Sequence, residues 1–227
     1  GGFDGRALSP RQQRFGHDVD GFLRLFDGLR ALQDDGLRVG CAFHSLRAVP
    51  ETAMREVLSA LPADAPVHIH IAEQTAEVDA CLVWSGQRPV QWLLDHAAVD
   101  ARWCLVHATH MSATESASAA RSGAVAGLCP STEANLGDGI FDAPTWLQAG
   151  GRWGVGSDSH ACVNAAEELM LLEYSQRLAT RQRNVLAGDG HTFVATAMTL
   201  DAVAGGAQAS GRAVAGLAVG QQADLVV

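Results

Sequence analysis

Three short stretches of the chain end in residue types that a hydrolytic metal site requires. They are His68-Ile69-His70-Ile71-Ala72-Glu73, Leu105-Val106-His107 and Gly154-Val155-Gly156-Ser157-Asp158. Imidazole nitrogens and carboxylate oxygens bind zinc-like cations, and a carboxylate beside the ligands can move a proton to or from water. Each stretch is an apolar run that stops at His or Asp. Buried parallel strands delivering side chains to one rim of a barrel have this form. Metal-dependent hydrolysis is therefore the leading expectation.

Within that expectation the residues take different weights. His68 and His70 stand two apart on the expected strand, and we expect them on opposite faces, only one turned to a barrel interior. His70 is the expected metal ligand, because Glu73 follows it where the strand gives way to loop and can shuttle the proton; His68 is expected to be structural. An isolated HxH would be weak support, since a hydrogen-bonded core histidine looks the same. His107 continues its strand directly, with His110 behind it, and could complete a coordination sphere or act as an electrophile on the metal-bound water. Asp158 could bind the cation and accept a proton from its water. Taken alone Asp158 would read as a helix cap, since Asp is a preferred cap and a helix follows. His44 and Arg47 follow an earlier strand, and the planar fork of Arg suits a carboxylate. A single Arg is more often a surface residue, so position alone leaves both readings of Arg47 open. Thr132 to Gly139 is polar and glycine-punctuated, and is expected as a loop that shapes the pocket or turns the chain.

The elements that must hold these residues alternate. Residues 1–16 are aperiodic. Val19, Phe22, Leu23, Phe26 and Leu29 follow helical spacing in a segment from Asp18 to about Leu32, which Gly36 would close. Strands are expected at about 37–43, 66–71, 103–106, 124–128 and 153–156. Helices are expected from Pro50 to about Leu61 and at 75–84, 89–97, 142–149, 164–179 and 191–206. Ser112-Ala113-Thr114-Glu115 has the form of a capping box. Regular βα alternation without hairpin signals implies a parallel sheet with helical crossovers. Five strands cannot close an eight-stranded barrel, and a doubly wound open sheet competes. A Gly-rich phosphate loop is lacking, and polar residues follow most strands rather than one switch point, which favours a barrel.

Bulk properties narrow the function further. Of 227 residues, 48% are hydrophobic and 18% charged, a globular composition. The net charge of −9, with no basic run to offset it, argues against a nucleic-acid partner. No apolar run reaches the roughly 18 residues a membrane span needs, and no signal peptide is visible, so a cytoplasmic protein without a membrane partner is expected. Five scattered cysteines form no CxxC, which argues against a disulfide framework and a thiolate zinc site. All 16 basic residues are Arg, which excludes Schiff-base chemistry and a phosphate-loop lysine among these residues.

The order of a strand-end His, a second strand-end His and a final strand-end Asp resembles the amidohydrolase superfamily. The His70-to-Glu73 spacing is similar to its cytosine deaminase and chlorohydrolase-like branch, and more narrowly to the formimidoylglutamate deiminases of histidine degradation. The matching stretches are Ala42 to Arg47, His68 to Gln74, Trp103 to His110, Thr132 to Gly139, Gly156 to His160 and Glu167 to Leu169. The resemblance implies an α/β fold: a partial TIM (β/α)8 barrel over residues 1–215, comprising strands four to eight. Residues 216–227 would begin a return to a small β-sandwich. It implies one zinc, or another divalent metal, per subunit, held by His70 and Asp158. Glu73 would shuttle the proton, His107 would polarise the substrate or orient the water, and Asp158 would assist. His44 and Arg47 would hold the carboxylates of a small acidic substrate. The expected reaction converts N-formimidoyl-L-glutamate and water to N-formyl-L-glutamate and ammonia, in a protein that forms a homodimer when complete. The family also takes two ligands from an HxH on its first strand, which this chain lacks; the chain then reads as an inactive piece of a longer one. A related aminohydrolase acting on a nucleobase or triazine ring is the alternative.

Overall fold

The computed structural model describes residues 3, 5, 7–158, 163–188, 193–216 and 218–222. Its centre is a parallel sheet of five strands, β1 (Cys41–Phe43), β2 (Val67–Ile71), β3 (Trp103–His107), β4 (Val125–Leu128) and β5 (Arg152–Val155). The strands lie side by side in chain order, every pair parallel. A doubly wound sheet reverses direction from a switch point. Sequential order with helical crossovers is instead that of consecutive units of a (β/α) barrel.

The connecting helices are α1 (Val19–Arg30), α2 (Glu51–Ala60), α3 (Thr75–Ser85), α4 (Pro89–His96), α5 (Ala113–Ser122), α6 (Pro130–Leu136) and α7 (Ala143–Gln148). After β5 come α8 (Ala165–Thr180) and α9 (Val194–Ser210). Local chemistry explains several boundaries. Ser112 and Glu115 form the expected reciprocal capping box on α5. Asp18 caps α1 by accepting from the Gly21 amide, and Pro89 opens α4, where its missing N–H is no loss.

One face of the sheet carries the core. Val67, Ile69 and Ile71 of β2, Trp103 and Leu105 of β3, and Ala126 and Leu128 of β4 are all buried there, together with Met54, Trp92, Leu93 and Trp146 from the helices. The opposite face carries His68 and His70, which are half-buried. This corrects the expectation that the two histidines point apart. Side chains alternate with period two, so residues i and i+2 share a face. What separates them is position along the strand. His68 pairs with Cys104, and His70 pairs with Val106 one pleat nearer the C-terminal rim.

Helix α9 governs the N-terminal end of the sheet. A Cβ on Gly205 would lie 1.8 Å from the Trp153 carbonyl oxygen, so only glycine lets the helix approach β5 this closely. Gln208 then donates to the Ala101 and Gly123 carbonyls at 2.9 and 2.8 Å, just before β3 and β4. His68 Nε2 bonds the Ala209 carbonyl at 2.8 Å, so His68 has the structural role expected of it.

Three further expectations change. Thr132 to Gly139 is not all loop: Pro130–Leu136 forms α6, with Pro at its first position and left-handed Gly137 at its end. Gly36 does not close α1, which stops at Arg30; Gly36 sits in a turn where Asp34 accepts from the Gly36 and Leu37 amides. The first strand is short, with residues 37–40 outside it. Half of the expected sandwich segment, residues 217 and 223–227, lies outside the described residues, as do His160 and Cys162.

Candidate metal centre

At the C-terminal rim the chain leaves β2, β3 and β5 through an unusual backbone. Ala72 after β2, His107 and Ala108 at the end of β3, and Asp158 after β5 all have φ between 47° and 67°. Left-handed conformations at non-glycine residues cost about 1–3 kcal/mol each and persist where the surroundings require them. Here they occur together at the strand ends that carry the candidate residues.

The structure brings His70, His107 and Asp158 together. Each offers one ligand atom, and the three atoms lie within 4.8 Å of one another. His70 Nδ1 bonds the His44 carbonyl at 2.7 Å. A carbonyl only accepts, so Nδ1 carries the proton and Nε2 keeps the lone pair a cation needs. The rings of His44, His70 and His107 follow one another with centroids 5.5 and 5.6 Å apart. Two imidazoles and a carboxylate, both rings already held by outer hydrogen bonds, suit a divalent cation of zinc character. Asp158 does not cap the following helix, because Asn164 does so.

Glu73 stands beside this group. Its Oε1 is 3.7 Å from His107 Nε2 and its Oε2 is 3.8 Å from Arg47 Nη2. Its own amide donates to Glu77 Oε2 at 3.1 Å. Glu77 is buried in the first turn of α3, and burial raises its pKa against the opposing influence of Arg47 and of amides at Ala72 and Glu73. His44 is held below the ordinary imidazole value by burial and by the neighbouring His70 and Arg47. For His107 burial opposes protonation. The Glu133 hydrogen bond and the charges of Glu73, Glu133 and Asp158 outweigh it, and the pKa is raised.

His110 is not part of the group: its Nε2 bonds the Asp138 carbonyl at 2.7 Å. Sequence reasoning also missed two residues. Glu133, at 3.2 Å from His107 Nδ1, was hidden by the loop reading of its segment. Glu77 lies at a first-turn position where Glu is ordinary, so nothing marked it. A cavity of about 560 Å³ lies between the 34–38 and 211–222 segments, and one of about 290 Å³ beside Gly123 and Gln208. Neither is lined by His70, His107 or Asp158.

The sequence model of the Amidohydrolase family matches residues 19–227. The chain is 54% identical, over all of its 227 residues and 50% of the relative, to a formimidoylglutamate deiminase of Pseudomonas aeruginosa. Among solved structures it is similar to an amidohydrolase from Brucella melitensis, with TM-score 0.87 and 51% identity over 92% of this chain and 47% of that one. It is also similar to an adenosine deaminase from Xanthomonas campestris with bound zinc, with TM-score 0.81 and 25% identity over 92% and 48%. The chain spans about half the length of the curated relatives it matches.

Proposed function

The chain belongs to the amidohydrolase family, and from that premise we propose that it carries part of the catalytic site of a formimidoylglutamate deiminase. The reaction would be hydrolysis of the C–N bond of N-formimidoyl-L-glutamate, giving N-formyl-L-glutamate and ammonia. The observation that carries this reading is the convergence of His70, His107 and Asp158 within 4.8 Å, with Glu73 and Arg47 alongside, on a chain 54% identical to such a deiminase.

In this reading His70 and Asp158 hold the metal, zinc being the cation the donor set suits. When bound, the cation supplies the Lewis acidity that makes water a nucleophile near neutral pH. Glu73, half-buried and near His107, takes the proton from the attacking water and returns it to the leaving nitrogen. His107, its Nδ1–H held by Glu133, accepts at Nε2 from the attacking water and orients it. Arg47 lies beside Glu73 and His44 beside His70, where a guanidinium fork can hold a substrate carboxylate. Arg47 also faces Glu73, so the substrate's carboxylate and the proton shuttle share one cation.

Among the described residues no helix is long and apolar enough to cross a membrane. A homodimer, the absence of a nucleic-acid partner and a cytoplasmic setting remain part of the proposal, resting on the acidic charge and the resemblance.

The reading is tested by assaying ammonia release from N-formimidoyl-L-glutamate and zinc content. Both are measured for this chain and for a version extended upstream to the length of its relatives. Release by the extended version supports the assignment. Zinc binding without release from this substrate would keep the metal site and overturn the substrate, turning attention to nucleobase-like rings such as that of the adenosine deaminase.

A further inference from the structure

Helix α6 brings one buried carboxylate against the candidate centre. Glu133 is 3% exposed, and its Oε1 accepts from the Cys129 amide at 2.9 Å and from His107 Nδ1 at 3.2 Å. The helix is itself anchored from behind. Glu168 of α8, also buried, accepts from the Ser131 amide at 2.8 Å and from the Ser131 hydroxyl. A line of contacts therefore runs from α8 through α6 to the ring of His107. An ionised carboxylate only accepts, so the proton between Glu133 and His107 belongs to Nδ1. The other nitrogen, Nε2, is the one 3.7 Å from Glu73.

We infer that Glu133 is a positioning residue for His107. It fixes which ring nitrogen carries the proton and turns Nε2 toward Glu73 and the reacting group. The geometry stands on its own, whereas the kinetic consequence rests on the hydrolytic reading above. A plain structural role exists alongside, because Glu133 also satisfies the Cys129 amide at the start of α6. That role alone would govern stability and leave the His107 tautomer untouched.

The two roles separate in Glu133→Gln and Glu133→Leu. Gln keeps an oxygen that can accept from both donors; Leu removes it. Two-bond proton–nitrogen correlation spectra of the labelled chain, with the His107 ring assigned by its loss in His107→Asn, read the tautomer directly. The proton is expected on Nδ1 in the unsubstituted chain and in Glu133→Gln, and lost from Nδ1 in Glu133→Leu. In the version extended to the relatives' length, Glu133→Leu should lower kcat by about 10–100-fold with KM changed by no more than about threefold, and Glu133→Gln should restore most of it. A proton on Nε2 in the unsubstituted chain, an unchanged tautomer in Glu133→Leu, or a loss confined to KM would each overturn the inference. If Glu133→Leu does not fold, Glu133→Met, which also lacks the accepting oxygen, takes its place in the same spectra. If the tautomer responds as expected but no ammonia is released from N-formimidoyl-L-glutamate, the substrate reading fails while the role of Glu133 stands.

Discussion

His70 donates Nδ1–H to the backbone carbonyl of His44, 2.7 Å away, and so couples the ends of β1 and β2. The bond fixes the ring's tautomer and leaves the Nε2 lone pair available to a cation. A main-chain acceptor cannot be removed by substitution, so the orientation of His70 depends on the β1–β2 register, in which Phe43 pairs with Ile69.

The two histidines of β2 should therefore separate cleanly by experiment. His70→Ala and Asp158→Ala should each weaken zinc binding at least about tenfold by calorimetry. His68→Ala should leave zinc affinity nearly unchanged and lower the melting temperature, because its partner is the Ala209 carbonyl on α9. Equal losses of zinc affinity at positions 68 and 70 would refute the division.

Glu73→Gln in the extended version should lower kcat by about 100-fold or more, as expected when a general acid–base is lost. Zinc content should stay the same, since Glu73 is outside the His70, His107 and Asp158 group. Full activity in this variant would remove Glu73 from the chemistry.

Arg47→Ala tests the substrate. If Arg47 holds a carboxylate, the variant should raise KM for N-formimidoyl-L-glutamate by about tenfold or more, as expected for a lost charge-assisted bond. A neutral ring substrate would be indifferent to the change, and an unaltered KM would favour that alternative.

Glu77 supplies a pH signature. Its folded pKa lies above the ordinary 4.5, chiefly through burial. A raised folded value means the contribution to stability is complete below 4.5 and is lost as pH rises through the folded pKa. Glu77→Gln cannot ionise and should gain in urea midpoint relative to the parent chain as pH climbs from 4.5 to neutrality. A difference that stays constant across that range would contradict this account.

Gly205→Ala should destabilise the chain by about 1–3 kcal/mol or more, the usual range for overpacking, because the new methyl would meet the Trp153 carbonyl. Gly206→Ala, where nothing lies within 4 Å, should be tolerated. Matching melting temperatures for the two would show that α9 is not docked this way.

By itself the sequence determined the alternation of strands and helices and the strand ends that carry His44, His70, His107 and Asp158. Both follow from local patterns: apolar β-branched runs, caps such as Ser112 with Glu115, and polar residues placed where the runs stop. It also expected a structural His68, which bonds the Ala209 carbonyl, and a Glu73 close to the candidate group, where it lies 3.7 Å from His107 Nε2. The α6 segment was misread because its polar, glycine-ended composition is that of a loop, while its helix is held by its own buried Glu133 and by Glu168 of α8. Tertiary structure alone decided the rest. Strand order separated a barrel segment from a doubly wound sheet. Register brought residues from β2, β3 and the loop after β5 within 4.8 Å. Packing of α6 and α9 set which buried partners, Glu133 and the Ala209 carbonyl, oriented His107 and His68. These contacts join residues 26 and 141 positions apart, a separation over which no local pattern carries information.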